Sequence, residues 1–169
     1  HVKLKWIDSG EVSSSMKLHS LDGEPLKLPL QSPFEGEHLD LAHQQLDPGY
    51  VLLLSWWLGT EFSAAVARLT LDGCEITGTK IKDKGKPWEE IEQVDADLGG
   101  YTSLCSCLKT SKIESLSLQK CYLGPEALAL LADAIKFMAA IARLSLAENN
   151  LIRGRRWKSR EEYDQYGEY

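Results

Sequence analysis

The chain has 169 residues, 43% of them hydrophobic and 26% charged, with a formal net charge of -6. That is an ordinary composition for one globular domain with a sizeable core, and the acidic balance argues against a dedicated nucleic-acid binder. The longest apolar run, "YVLLLSWWLG", is far shorter than the roughly 20 residues that span a bilayer, so no transmembrane segment is expected.

The first 36 residues read as a small β-rich cap. "HVKLKW" alternates Val2, Leu4 and Trp6 with Lys3 and Lys5, the pattern of a half-buried strand. "MKLHSLDGEPLKLPL" places two short apolar runs around Asp22-Gly23, a hairpin signal, and Pro25 and Pro29 suit an edge position. The chain starts at His1 rather than Met, as a processed product would.

From residue 37 to 152 one short pattern returns. Leu39-Asp40-Leu41, Leu69-Thr70-Leu71, Leu116-Ser117-Leu118 and Leu144-Ser145-Leu146 each set two leucines around one polar residue, the signature of a strand with one buried face. Three positions after the second leucine stand Gln44, Cys74, Cys121 and Asn149; two further on come Leu46, Ile76, Leu123 and Leu151. The second leucines are 30, 47 and 28 residues apart, so the middle interval carries extra material, an insert at about 77–97. Helices are predicted after Pro48 ("PGYVLLLSWWLG"), over "LGGYTSLCSCL" and over "GPEALALLADAIKFM". The last has Pro125 and Glu126 in its first turn and an apolar stripe of Leu128, Leu131, Ala132 and Ile135. Of the adjacent Trp56 and Trp57, one is expected in the core and the other outside it, because neighbours point to different sides of a helix.

The remaining pieces are irregular. The insert, "TGTKIKDKGKPWEEIEQVDAD", reads as a solvated acidic segment. Its Glu89, Glu90, Glu92, Asp95 and Asp97 lack the spacing of a dedicated calcium loop. Residues 153–169, "RGRRWKSREEYDQYGEY", form a charged aromatic tail or the start of a further unit, since they echo the insert in running from a basic cluster through Trp into acidic residues.

The LxLxx(N/C)xL pattern at this period, with a helix in each interval, resembles the leucine-rich repeat, in its ribonuclease-inhibitor-like subtype. The resemblance covers Leu39 to Leu151. It implies a short α/β solenoid, with a parallel sheet on the concave face and helices on the convex face, behind the amino-terminal β-hairpin cap. It also implies that Cys74, Cys121 and Asn149 hydrogen-bond the backbone of neighbouring loops; Gln44 departs from the pattern.

No phosphate loop, dinucleotide fingerprint, nucleophile elbow, zinc-protease helix or EF-hand is present. The CxC pair Cys105–Cys107 makes a poor metal clamp on a helix, and His38 and His43 read as surface residues at either end of a strand. No catalytic residue, cofactor or metal is therefore expected. The four cysteines are too few for a disulfide framework and read as reduced, which favours an intracellular or organellar setting.

The function expected is a non-enzymatic protein–protein interaction scaffold, as a subunit of a larger assembly or a free adaptor. The alternative is a regulatory region of a longer enzyme. Candidate partner-binding residues are the outward Asp40, Thr70, Asp72, Ser117, Gln119 and Ser145, Trp88 in the insert, and Arg155, Arg156, Trp157, Tyr163 and Tyr166 in the tail, since aromatics and Arg are enriched in interface hot spots. On this strand phase, Leu118→Asp is expected to unfold the domain and Ser117→Asp to be tolerated.

Overall fold

Alternating leucines need a surface to pack on, and the chain builds one by laying its four LxL segments side by side. The computed structural model describes residues 33–86 and 89–149. The elements are β1 (His38–Asp40), α1 (Pro48–Leu58), a 3₁₀ turn (Glu61–Ser63), β2 (Arg68–Thr70), β3 (Lys80–Lys82), β4 (Glu90–Gln93), α2 (Gly99–Leu108), β5 (Ser115–Ser117), α3 (Pro125–Ile135) and β6 (Arg143–Ser145). Nearly all of the expected β-cap, Trp88, and the tail with Arg155, Arg156, Trp157, Tyr163 and Tyr166 lie outside the described residues.

The protein is an α/β fold built on a four-stranded parallel sheet with the order β1-β2-β5-β6. Its register sets Leu39, Leu69, Leu116 and Leu144 in one row and Asp40, Thr70, Ser117 and Ser145 in the next. The second leucines, Leu41, Leu71 and Leu118, are buried just past the strands. Each strand spans three residues, but the cross-strand ladder runs on: Leu41, Leu71 and Leu118 donate to the carbonyls of Thr70, Ser117 and Ser145. His43, Gly73 and Lys120 continue it, donating to Asp72, Gln119 and Ala147. These turn residues, with Glu148 in the last turn, all have positive φ, between 56° and 74°.

In three of the four turns the position after the left-handed residue closes the turn; Gln44, in the first, is exposed. Cys74 donates through Sγ to the carbonyls of Leu41 (3.3 Å) and Gln44 (3.0 Å), and Cys121 to that of Leu71 (3.1 Å). Asn149 does more. Its Oδ1 accepts from the backbone of Cys121 (3.0 Å) and Leu123 (3.2 Å), and its Nδ2 donates to the carbonyls of Leu118 (2.6 Å) and Leu146 (3.0 Å).

The helices pack in sequence, α1 on α2 and α2 on α3. Asp47 caps α1, accepting from the backbone N–H of Tyr50 at 2.9 Å, with Pro48 in the first turn. A Cβ on Gly100 would stand 1.9 Å from the carbonyl oxygen of Pro48, so this glycine lets α2 approach the start of α1. Val51, Leu54, Trp57, Tyr101, Leu104, Leu108, Ala127 and Leu131 meet the sheet leucines in one continuous core. The stripe of α3 is rotated from the expected one: Ala127, Leu131 and Ala134 are buried, Leu128 and Ile135 flank them, and Ala132 is exposed.

The insert corrects the sequence reading. Rather than a solvated acidic segment it contains an antiparallel pair, β3 with β4, matching Ile81 to Ile91 and Lys82 to Glu90, with a register shift between Lys80 and Ile81. Lys-Ile-Lys opposite Glu-Ile-Glu gives one face to half-buried isoleucines and the edges to opposite charges. Among the described residues, no helix is long and apolar enough to cross a membrane.

The two tryptophans offer a test of this packing. Trp57 is 0% exposed and meets the Phe34 ring edge-on at a centroid distance of 6.3 Å, whereas Trp56 is 54% exposed. Urea denaturation is expected to show a loss of about 3–5 kcal/mol for Trp57→Ala and less than about 0.5 kcal/mol for Trp56→Ala. Equal losses would contradict the helix phase.

Candidate functional site: the outward face of the parallel sheet

Because strand neighbours point to opposite faces, the residues between and around the buried leucines share one outward face. Three rows cross it. The first is His38, Arg68, Ser115 and Arg143; the second is Asp40, Thr70, Ser117 and Ser145. The third, just past the strands, holds Asp72 and Gln119. The structure thus gathers Asp40, Thr70, Asp72, Ser117, Gln119 and Ser145 on one surface.

The face is partly bonded to itself. Oδ1 of Asp72 accepts from the Ser117 hydroxyl (2.7 Å) and the Gln119 backbone (2.8 Å), while Nε2 of Gln119 donates to Oγ of Ser117 (3.2 Å). Asp40 accepts from the backbone of Ala42 at 2.9 Å, and Nε2 of His38 lies 2.9 Å from the Thr70 hydroxyl. The two carboxylates therefore serve the protein's own donors. A carboxylate at Ser117 would face Asp72 on the neighbouring strand segment, so the geometry replaces the expected tolerance with an expected destabilisation.

His38, Arg68 and Arg143 were missed as members of this face, because attention fell on positions between and after the leucines. The residue before each first leucine is two positions from the central polar one, so period-two alternation alone places it outward.

The acidic insert has a structural task. Oδ1 of Asp95 accepts from the backbone N–H of Gly124 (2.9 Å), and Oδ2 from those of Glu126 (3.1 Å) and Ala127 (3.0 Å). Asp95 thus caps α3 from 29 residues upstream, where the local cap position, Gly124, has no side chain. A Cβ on Gly124 would stand 2.4 Å from Oδ2 of Asp95. Asp97 accepts from the backbone of Gly99 at the start of α2 (3.0 Å). Glu89, with its Oε2, accepts from Tyr122 Oη (3.0 Å) and the Gly85 backbone (2.9 Å). Among the described residues, no group of three His, Cys, Asp or Glu side chains is arranged to hold a metal ion.

Between the strand-end turns and the β3–β4 hairpin runs an open groove of about 1130 Å³, lined in part by His43, Tyr50, Lys80, Lys84, Lys120 and Tyr122. Its lysines are engaged in part: Lys84 pairs with Glu75, and Lys120 with Glu148 at 2.9 Å. The buried thiols are not primed for nucleophilic work. Burial pushes Cys74 and Cys105 up to about 11 and Cys121 up to about 12, so they are neutral thiols at physiological pH.

Two substitutions test these roles. Asp95→Ala is expected to cost about 1–2 kcal/mol in urea denaturation and to raise amide exchange at Gly124, Glu126 and Ala127; unchanged exchange there would reject the cap. Ser117→Asp is expected to destabilise by about 1–3 kcal/mol at neutral pH by facing Asp72 and breaking its hydrogen bond. Ser117→Ala, which removes the hydroxyl without adding a charge, should cost less; equal losses for the two variants would reject the like-charge contact. Beyond its own geometry the chain offers no guide by likeness: no family model, curated protein or solved structure matches it.

Proposed function

We propose that the chain is a short leucine-rich-repeat solenoid of the ribonuclease-inhibitor-like subtype, and that it works as a non-enzymatic scaffold for a protein partner. It acts as a subunit of a larger assembly or as an adaptor. One observation carries this reading: the parallel sheet presents a row of small polar side chains, Asp40, Thr70, Ser117 and Ser145, over a row of leucines in strict register. Such a face is flat and firmly backed. It suits contact with a protein surface better than enclosure of a small molecule, which needs convergent polar groups in an apolar cavity. The bonds of Cys74, Cys121 and Asn149 to turn backbone support the repeat reading as well, since they are the ones the resemblance implies.

The test is affinity purification of the full chain from its native source, with bound proteins identified by mass spectrometry. The variant Thr70→Arg/Ser145→Arg should lose a stoichiometric partner that the wild type holds. Ala129→Arg, on an exposed position of α3, should keep it. Retention by the sheet variant, or equal loss by both, would refute the sheet face as the interaction surface. A third arm lacking residues 153–169 reports whether the tail contributes.

A further inference from the structure

The charges on the outward face are not used evenly. Its carboxylates, Asp40 and Asp72, accept hydrogen bonds from the protein's own backbone and from Ser117. Its guanidiniums are not held in this way. Arg143 is exposed and forms no ion pair among the described residues. Arg68 meets Glu37 at 3.5 Å, but both side chains are largely exposed, at 52% and 75%. A pair of that kind holds its partner weakly and exchanges readily for a better acceptor. Ser115 lies between the two arginines in register, on the strand separating theirs. Parallel strands are about 4.8 Å apart, so Arg68 and Arg143 stand roughly 10 Å apart with one hydroxyl between them.

Resting on the proposed sheet-face interaction, we propose that the row Arg68–Ser115–Arg143 receives an acidic segment of the protein partner, presenting two side-chain carboxylates to the two guanidiniums. Guanidinium and carboxylate match in planar, two-pronged geometry, and Ser115 adds a neutral donor at the centre. The occupant is a peptide rather than a nucleic acid for two reasons. Asp40 and Asp72 interrupt the surface one and two rows further along the strands, roughly 7–13 Å away, so the row offers two cations rather than the broad basic patch that a phosphate chain follows. The three rows also hold no Phe, Tyr or Trp on which successive bases could stack, and the imidazole of His38 lies 2.9 Å from the Thr70 hydroxyl. Overall charge makes the site selective: in a chain of net charge -6, an acidic segment is turned away from most of the surface and accepted where exposed, at most weakly paired cations face outward.

The experiment uses the full chain and fluorescein-labelled octaglutamate as probe, read by anisotropy at low salt, with amide chemical shifts mapping the contact. Binding should weaken as salt rises, and the shifts should centre on Arg68, Ser115 and Arg143. Arg68→Ala/Arg143→Ala should weaken binding by about tenfold or more, as losing two charge-assisted contacts implies. Lys112→Ala/Lys136→Ala, which removes two cations elsewhere, should change it less than about twofold. If the double arginine variant does not fold, Arg143→Gln alone, at an exposed position, should still weaken binding measurably. Shifts confined to residues 153–160, equal loss in the lysine control, or tighter binding of a dT oligomer than of octaglutamate would each overturn the proposal. Should octaglutamate fail while Thr70→Arg/Ser145→Arg still strips the native partner, the acidic-segment inference falls alone. Should that variant also keep its partner, the sheet-face reading falls with it.

Discussion

Everything in this fold hangs on how the chain satisfies its backbone at the ends of three-residue strands. A strand that short closes few hydrogen bonds, and the turn that follows is held against the core, where an unpaired N–H or C=O would cost about 1–3 kcal/mol. Three of the four turns answer with one buried side chain each; Gln44, at the same place in the first, is exposed. Asn149 has two donors and an acceptor oxygen with two lone pairs, and it uses all of them on backbone groups of two successive turns. Cys74 and Cys121 do the same task with a weaker donor and fill the space with sulfur. The residue just before each closing position sits at positive φ, and only one of the four, Gly73, is a glycine. A strained conformation of order 1–2 kcal/mol per non-glycine residue persists because the ladder on both sides fixes it.

The hairpin shows the same constraint solved at longer range. An α-helix leaves its first N–H groups without intrahelical partners, and the cap position before α3 is Gly124, which has no side chain to offer them. The chain supplies the acceptor from the insert. Asp95 is set in place by its own backbone, which donates to the Thr79 hydroxyl at 3.1 Å, and Thr79 in turn donates to the Tyr122 carbonyl at 3.0 Å. Buried Thr77 lies 3.0 Å from Thr79, oxygen to oxygen, closing the knot. The insert and the start of α3 therefore share one hydrogen-bonded junction, and the segment that departs from the regular spacing is bound into the regular part.

That contrast explains what was legible in the sequence. The leucine rows could be read because burial on one strand face enforces alternation, and because the 28-residue spacing from Leu118 to Leu146 leaves room for one helix and its turns. Pro48 and Pro125 marked helix starts for a local reason, a fixed φ where an N–H is dispensable. The β3–β4 pair was hidden because only Ile81 and Ile91 carry its apolar side, inside a run of Lys and Glu that reads as solvated. The capping role of Asp95 was hidden because the donor groups lie 29 to 32 residues away, and nothing in local spacing encodes such a partner. The acidic residues read as a solvated segment are, in three cases, acceptors for backbone N–H groups. The tolerance expected at Ser117 is revised for a related reason: strand phase gives direction, but only the register of β2 against β5 brings Asp72 to it.

The same register divides the outward face into a fixed part and a free part. Between β2 and β5, Asp72, Ser117 and Gln119 are locked together, so a partner meeting them must match an existing hydrogen-bond pattern or break it. Toward β6 the restraints fall away. Leu144 is 38% exposed, where its counterparts Leu39, Leu69 and Leu116 are at most 6%, and Ser145 and Arg143 make no side-chain hydrogen bond or ion pair among the described residues. Recognition needs rigid backing and available groups together. The two coincide where the first row passes from Arg68 over Ser115 to Arg143: the leucines below fix the spacing, and the arginines above are at most weakly engaged, Arg68 by its exposed pair with Glu37. Asp40 and Asp72 accept hydrogen bonds within the fold while Arg68 and Arg143 stay exposed, and it is this unevenness, on a chain whose net charge is negative, that the proposed acidic segment would read.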